Sequence, residues 1–306
     1  MANLLLFLLF IGVFIYGMTL LRSGLFNLSA DSLKIWLTKM TDSPWKGLLA
    51  GVGITCLLQS SSAVMVITIG LISARLLTFG QSIGIILGTN IGTTLTTELI
   101  TFDIESFIIP LAVLGAALML IGKFKLKSIG LILLGISAVF AAMGGFEFMA
   151  GPLKEVAWVD QLLITLDGSY FYSILAGAGI TAIIQSSTAT TGIIMGLLTG
   201  EAIELDTGIS IMLGSNIGTC VTAFLAAVGA GREARLSAYA HIWLNILGVI
   251  VFYPFIGMLT DLGTQLAFQA DVQLAHVSVI FNVISSLLVL PFASRFGRFI
   301  LWMHDR

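Results

Sequence analysis

Charge is scarce in this 306-residue chain: Asp, Glu, Lys and Arg together make up 10% of it, against about a quarter in ordinary soluble domains. With 58% hydrophobic residues and a mean hydropathy of +1.06, an ordinary soluble fold is excluded. Cysteine is nearly absent. Cys56 and Cys220 sit inside apolar segments, so neither a disulfide framework nor a thiolate metal site is expected, and both read as small packing residues. No basic stripe interleaved with aromatics is present, so nucleic acid is not an expected partner. No positively charged region precedes Asn3–Leu9, and the first 20 residues read as a retained membrane helix rather than a leader.

Long apolar stretches fill the rest, near residues 4–21, 47–74, 79–101, 106–122, 127–149, 170–199, 207–228, 237–259 and 274–294. They contain a repeat. Gln59-Ser60-Ser61-Ser62 returns as Gln185-Ser186-Ser187-Thr188, 126 residues later, and residues 47–97 aligned on 173–223 share 22 identities in 51 positions. Gly88-Thr89-Asn90-Ile91-Gly92-Thr93 is echoed by Gly214-Ser215-Asn216-Ile217-Gly218-Thr219. A duplicated unit with Gly-punctuated, hydroxyl-rich breaks in apolar segments is the pattern of a transporter whose site lies at the repeat interface.

The stretches 47–74 and 170–199 are each too long for one untilted span and are interrupted centrally by the Gln-Ser motif. Each flank of roughly 12 residues makes about 18 Å of helix, part of the way through a core of about 30 Å. The expectation is a re-entrant hairpin of two half-helices with a polar tip inside the membrane. Loop charges fit one alternating path. Lys34, Lys39, Lys46, Arg75, Lys123, Lys125, Lys127, Arg232, Arg235, Arg295, Arg298 and Arg306 fall inside. The acidic loops around Asp103, Glu155, Glu204 and Asp271 fall outside. Three crossings separate the hairpins, so the second copy is inverted. Segments 26–40 (Leu28, Leu33, Trp36, Leu37) and 152–165 (Leu153, Val156, Leu162, Leu163) precede the hairpins at matching places and are expected along the membrane interface.

The predicted fold is an all-α membrane protein of two inverted repeats, each with a re-entrant helical hairpin and a discontinuous transmembrane helix. One transmembrane domain covers 1–306, with repeat 1 at about 4–122, repeat 2 at about 127–259 and a final helix at about 274–294. The N-terminus is expected outside the cell membrane and the C-terminus in the cytoplasm.

Chemistry concentrates at the motifs. Ser60, Ser61, Ser62, Ser186, Ser187 and Thr188 offer hydroxyls, and each half-helix beginning there turns free N–H groups toward an anion. Gln59 and Gln185 supply oxygens suited to a small hard cation, so an anion and Na⁺ can share the site with no fixed arginine. The Gly-flanked Asn motifs predict local unwinding that exposes carbonyls. Thr89, Asn90, Thr93, Ser215, Asn216 and Thr219 then join Gln59, Ser61, Gln185 and Ser187 as Na⁺ ligands; close helix packing by small residues is the plainer account. Glu98 near a segment end reads as an interfacial carboxylate or, less blandly, a cation or proton site. His241 and Asn245, four apart, read as a structural hydrogen-bond pair. His276 and His304 carry little signal.

The doubled Gln-Ser-Ser-Ser/Thr motif followed by Gly-Thr/Ser-Asn-Ile-Gly-Thr resembles the type II sodium–phosphate cotransporter family. Ala240-His241 with Asn245, and Phe281-Asn282 before Leu290-Pro291-Phe292, are similar to further family stretches. The resemblance implies Na⁺-coupled uptake of inorganic phosphate by alternating access, with phosphate between the hairpin tips and Gln59 to Ser62 and Gln185 to Thr188 as ligands. No cofactor beyond the coupling Na⁺, no transition metal and no enzymatic activity are expected; a homo-oligomer is possible. Another small oxyanion, sulfate or a carboxylate, fits the same chemistry. An intramembrane serine hydrolase using His241 is a remote rival, because the serines come in duplicate without a nucleophile frame.

Overall fold

A helix ends at Gln59-Ser60 and again at Gln185-Ser186, and each time a second one starts at once. The structure, a computed structural model, describes the backbone of residues 2–39 and 42–304 and the side chains of 2–29 and 42–304. Helix α1 (Ala2–Lys39) leads to the broken pair α2 (Pro44–Leu58) and α3 (Ser61–Ser73), then α4 (Phe79–Leu99), α5 (Ile108–Leu120) and α6 (Phe124–Lys154). The second half repeats the order, with α7 (Ala157–Asp167), the broken pair α8 (Tyr170–Ile184) and α9 (Ser187–Thr199), and α10 (Leu205–Ala227). Four helices follow: α11 (Arg232–Phe252), α12 (Ile256–Leu266), α13 (Ala270–Val289) and α14 (Ala293–His304).

Among the described residues, five stretches are long and apolar enough to cross a membrane: Ala2–Ser29, Phe124–Lys154, Leu205–Ala227, Arg232–Leu266 and Ala270–His304. Exposed Ile109, Val113 and Leu120 on α5 and Ile183 on α8 present apolar surface of the kind lipid covers. The chain is an all-helical, multi-pass membrane protein.

Glycines set the packing. Gly17 and Gly24 of α1 lie against Ala138 and Ser128 of α6, so these two helices run antiparallel at close range. In the first half Gly47 meets Gly84, Gly51 meets Gly88, and Thr55 meets Gly92, which makes α2 and α4 parallel neighbours. In the second half Gly177 meets Ile211, Gly214 meets Ile174, and Gly218 meets Thr181, giving α8 and α10 the same relation.

This packing overturns one expectation: α4 and α10 are each unbroken through the Asn motif. The motif's glycines admit a neighbouring backbone instead of unwinding the helix. A Cβ on Gly92 would stand 2.6 Å from the Thr55 Cβ, and one on Gly218 2.7 Å from that of Thr181. The hydroxyls are satisfied within the helix: Thr89 donates to the Ile86 carbonyl at 2.8 Å and Ser215 to that of Met212 at 2.7 Å. Nothing is left to pull the ladder apart.

Three further differences concern segment limits. The interfacial segment expected at 26–40 is a continuation of α1 in its backbone, and the side chains of Leu33, Lys34, Trp36, Leu37 and Lys39 lie outside the described ones. Arg306 also lies outside the described residues. Of the matching segment at 152–165, Pro152–Lys154 complete α6, while α7 buries Val159, Leu163 and Leu166 and exposes Trp158. Finally, the expected spans at 237–259 and 274–294 are interrupted by one-turn 3₁₀ segments at Tyr253–Phe255 and Leu290–Phe292, each carrying a proline. Proline removes an N–H and clashes with the preceding turn, so the helix tightens and restarts. Hydropathy stays apolar across both prolines and hides α12 and α14.

The ends of the bundle differ. The Phe79 N–H donates to Glu233 Oε2 at 3.0 Å, Ser82 and Ser237 hydroxyls meet at 2.8 Å, and Gly297 faces Ile83. The start of α4, the start of α11 and α14 therefore gather together. The exit of α4 instead lines a cavity of about 680 Å³ with Asp103, Glu105, Glu147, Asp271 and Thr199 from the end of α9.

Candidate substrate and ion site

Both tips are built alike. Gln59 (φ 50°, ψ 33°) and Gln185 (φ 57°, ψ 28°) hold the left-handed conformation that ends α2 and α8. Ser60 and Ser186 follow in extended conformation and cap α3 and α9, accepting hydrogen bonds from Ala63 N–H (3.1 Å) and Ala189 N–H (3.3 Å). Left-handed glutamine costs on the order of 1–3 kcal/mol and survives where the surroundings over-determine it, a common condition at ligand sites. The break is thus local and paired: one strained residue, one cap. Ser61, Ser62, Ser187 and Thr188 occupy the first turn of the new helices, where unbonded N–H groups favour an anion.

The Asn motif sits beside each tip. Thr55, one turn before Gln59, packs on Gly92, and Thr181, one turn before Gln185, packs on Gly218. So the structure brings Gln59 to Ser62 near the stretch containing Thr89 to Thr93, and Gln185 to Thr188 near Ser215 to Thr219. Thr93 and Thr219 donate to the carbonyls of Thr89 and Ser215, both at 2.9 Å, leaving hydroxyl lone pairs free. With the helices intact, the main-chain carbonyls expected as Na⁺ ligands remain in the helical ladder. The two asparagines diverge. Asn90 donates across the bundle to Asn245 Oδ1 (3.1 Å), whereas Asn216 donates to the Met212 carbonyl in its own helix (3.0 Å). Among the described residues no hydrogen bond joins one tip to the other.

The tips differ in surroundings. Gln59 is 5% exposed and Gln185 is open to the outside of the protein. Gln59 Nε2 donates to the Cys56 carbonyl at 2.6 Å, while its buried Oε1 has no partner. Thr55 Oγ1, on the same helix face, is also buried without one. Its counterpart Thr181 donates to Thr190 Oγ1 at 2.8 Å. Two orphan oxygens one turn apart are hydrogen-bond capacity left for a ligand. Thr55 belongs to the duplicated identities, so the repeat contained this signal although the motif reading stopped at Gln59.

Arg22 was also missed. It sits on α1, 37 residues from the motif, and its Nε donates to the Gln59 carbonyl at 2.9 Å. A fixed arginine does stand at the first tip, contrary to the expectation that none is needed. Its distance in sequence from any motif concealed it.

Other polar residues resolve more plainly. Glu98 Oε1 meets His276 Nδ1 at 2.9 Å, both partly exposed. Asn245 Nδ2 donates to the main-chain carbonyl of His241 (2.9 Å), so that pair forms without the imidazole, and the buried His241 Nδ1 has no partner. His304 accepts from Trp243 Nε1 at 2.8 Å and stacks on Tyr239, with ring centroids 4.0 Å apart, fastening α14 to α11. Cys56 and Cys220 are free thiols, Cys220 buried and Cys56 partly so.

Known proteins agree with the duplication. The profile of the family described as Na+/Pi-cotransporter matches residues 13–147 and again 143–285. "Uncharacterized protein YqeW" of Bacillus subtilis is 40% identical over 287 residues, covering 94% of each chain. "Putative inorganic phosphate export protein YjbB" of Salmonella typhimurium is 24% identical over 94% of this chain; the aligned region is 53% of that protein. Human "Sodium-dependent phosphate transport protein 2C" is 38% identical over 110 residues, which is 32% of this chain and 18% of the human protein. No solved structure matches. The chain belongs to the Na⁺/Pi-cotransporter family, a family of transporters.

Proposed function

We propose that this protein is a Na⁺-coupled secondary transporter that carries inorganic phosphate into the cell by alternating access. The observation that carries the reading is the paired tip. Two left-handed Gln residues, each followed by a Ser cap and a hydroxyl-lined helix start, stand in the two halves that match a Na⁺/Pi-cotransporter profile. Phosphate is held by Ser60, Ser61, Ser62, Ser186, Ser187 and Thr188, with Gln59 and Gln185. Na⁺ takes side-chain oxygens from Gln59, Ser61, Thr89, Asn90 and Thr93 in one half, and Gln185, Ser187, Ser215, Asn216 and Thr219 in the other. No further cofactor is required.

The halves are read as inverted repeats in one transmembrane domain, with re-entrant hairpins α2–α3 and α8–α9. Two facts support this. Lys46, Arg75 and Arg232 belong to segments gathered at one end of the bundle, where Phe79 bonds Glu233; Glu147 and Asp271 line the cavity at the exit of α4, beside the end of α9. By the weight that Lys and Arg carry in topology, the first end is cytoplasmic, with the N-terminus outside and the C-terminus inside. Gln59 is buried and Gln185 exposed, an asymmetry between the tips that suits alternation between two access states.

The test is radiolabelled phosphate flux in proteoliposomes under an imposed Na⁺ gradient. Ser61→Ala and Ser187→Ala are each expected to impair uptake while leaving the protein folded. Equal uptake in Na⁺ and choline would sink the coupling, and uptake of sulfate alone would sink phosphate. The name of the Salmonella relative, a phosphate export protein, favours a second reading, export. Net efflux from phosphate-loaded vesicles under the same inward Na⁺ gradient would decide for it. Each net charge moved across 100 mV is worth about 2.3 kcal/mol, so measured stoichiometry sets the attainable phosphate gradient.

A further inference from the structure

We propose that Arg22 is an anion-binding residue of the first hairpin, holding a phosphate oxyanion in a cavity shared with Ser62, Ala63 and Thr222; this rests on the phosphate-transport reading above. The cavity is an open groove of about 450 Å³ whose lining includes the exposed Phe26 and Val66. Arg22 lies within the membrane-spanning stretch Ala2–Ser29. A guanidinium there is expensive unless paired, yet among the described residues no carboxylate lies within ion-pair reach of it. Its Nε is committed to the Gln59 carbonyl. That bond orients the guanidinium plane, and both terminal nitrogens are without partners among the described residues.

Two further features adjoin the same space. Ser62 and Ala63 belong to the first turn of the 13-residue α3, whose dipole favours negative charge. Thr222 of α10 lines the cavity, and its hydroxyl, set in the wall and without a hydrogen-bond partner, needs to turn inward to meet a ligand. A planar fork, a helix start and an idle hydroxyl form the donor set that recognises a tetrahedral oxyanion. The site breaks the duplication. The residue 126 positions after Arg22 is Phe148, exposed and apolar, so no arginine stands at that position of the second half.

The same chemistry could be met by inorganic phosphate or by a phospholipid headgroup entering past Phe26, and the experiment separates them. The full chain is reconstituted, and phosphate KM and Vmax are measured for wild type, R22Q, R22K and T222V. A hydrogen-bonded charge is worth roughly 1.5–3 kcal/mol, so R22Q is expected to raise KM about 10- to 100-fold. R22K, which keeps the charge and loses the fork, recovers part of that loss, and T222V raises KM about threefold at unchanged melting temperature.

A role confined to clamping the Gln59 carbonyl would lower Vmax and melting temperature with KM intact, and would overturn the proposal. So would a phospholipid retained by wild type in native mass spectra that excess inorganic phosphate cannot displace. Should R22Q not fold, unchanged KM in both R22K and T222V overturns it. Absence of phosphate flux in wild type would instead sink the transport reading itself.

Discussion

Asn90 on α4 donates its Nδ2 to Asn245 Oδ1 on α11 at 3.1 Å, across 155 residues of sequence. Asn245 in turn donates to the His241 carbonyl and to Cys220 Sγ. A buried chain of polar contacts thus ties the first Asn motif to the second half. Asn90→Ala leaves the Asn245 oxygen unpaired and is expected to cost about 1–3 kcal/mol. Thermal unfolding in detergent of N90A, N245A and the double variant checks it: losses that simply add would deny the bond.

Gly88 and Gly214 tolerate no side chain, since a Cβ would overlap the carbonyl oxygens of Leu48 and Ile174 respectively. Gly88→Ala and Gly214→Ala are each expected to destabilise by about 1–3 kcal/mol. Gly70 on α3 has open space around its Cβ position, and Gly70→Ala is expected to stabilise by about 0.5–1 kcal/mol. Opposite signs in one melting series would establish that the motif glycines serve packing.

Capping and ligand binding can be separated at Ser60. Ser60→Ala loses the acceptor for the Ala63 N–H and is expected to cost about 1 kcal/mol. Ser60→Asp keeps an acceptor and places a negative charge in the proposed anion site, so stability is expected to return toward wild type while phosphate uptake falls. Uptake preserved in the Asp variant would remove Ser60 from the site.

The Glu98–His276 contact is partly open to water, with side-chain exposures of 26% and 35%, so its coupling is expected below about 1 kcal/mol. A double-mutant cycle with Glu98→Gln and His276→Gln should show that small term shrinking as salt is raised. Abolished uptake in Glu98→Gln at full stability would mark the carboxylate as a cation site instead.

The two helix breaks were legible in the sequence alone. Serine after glutamine, in the middle of an apolar run and twice over, is a helix stop followed by a helix cap, and the structure places both there. The Asn motif misled. Glycine beside polar residues serves equally for unwinding and for close approach, and only the facing helix distinguishes them. Pro254 and Pro291 were visible too, but an unbroken apolar run outweighed them.

Local rules acting on neighbouring residues, together with composition and duplication, were enough to determine membrane class, repeat and tips. They work because a cap, a left-handed turn and the threshold length for crossing a bilayer depend on residues close in sequence. The tertiary structure decided what those tips face. Arg22 reaches the Gln59 carbonyl from another helix, Thr222 arrives from the other half, and Thr55 is left without a partner because Gly92 brings no polar side chain. Such contacts join residues through space, where the cost of burying charge and polarity is settled by whatever the fold sets opposite.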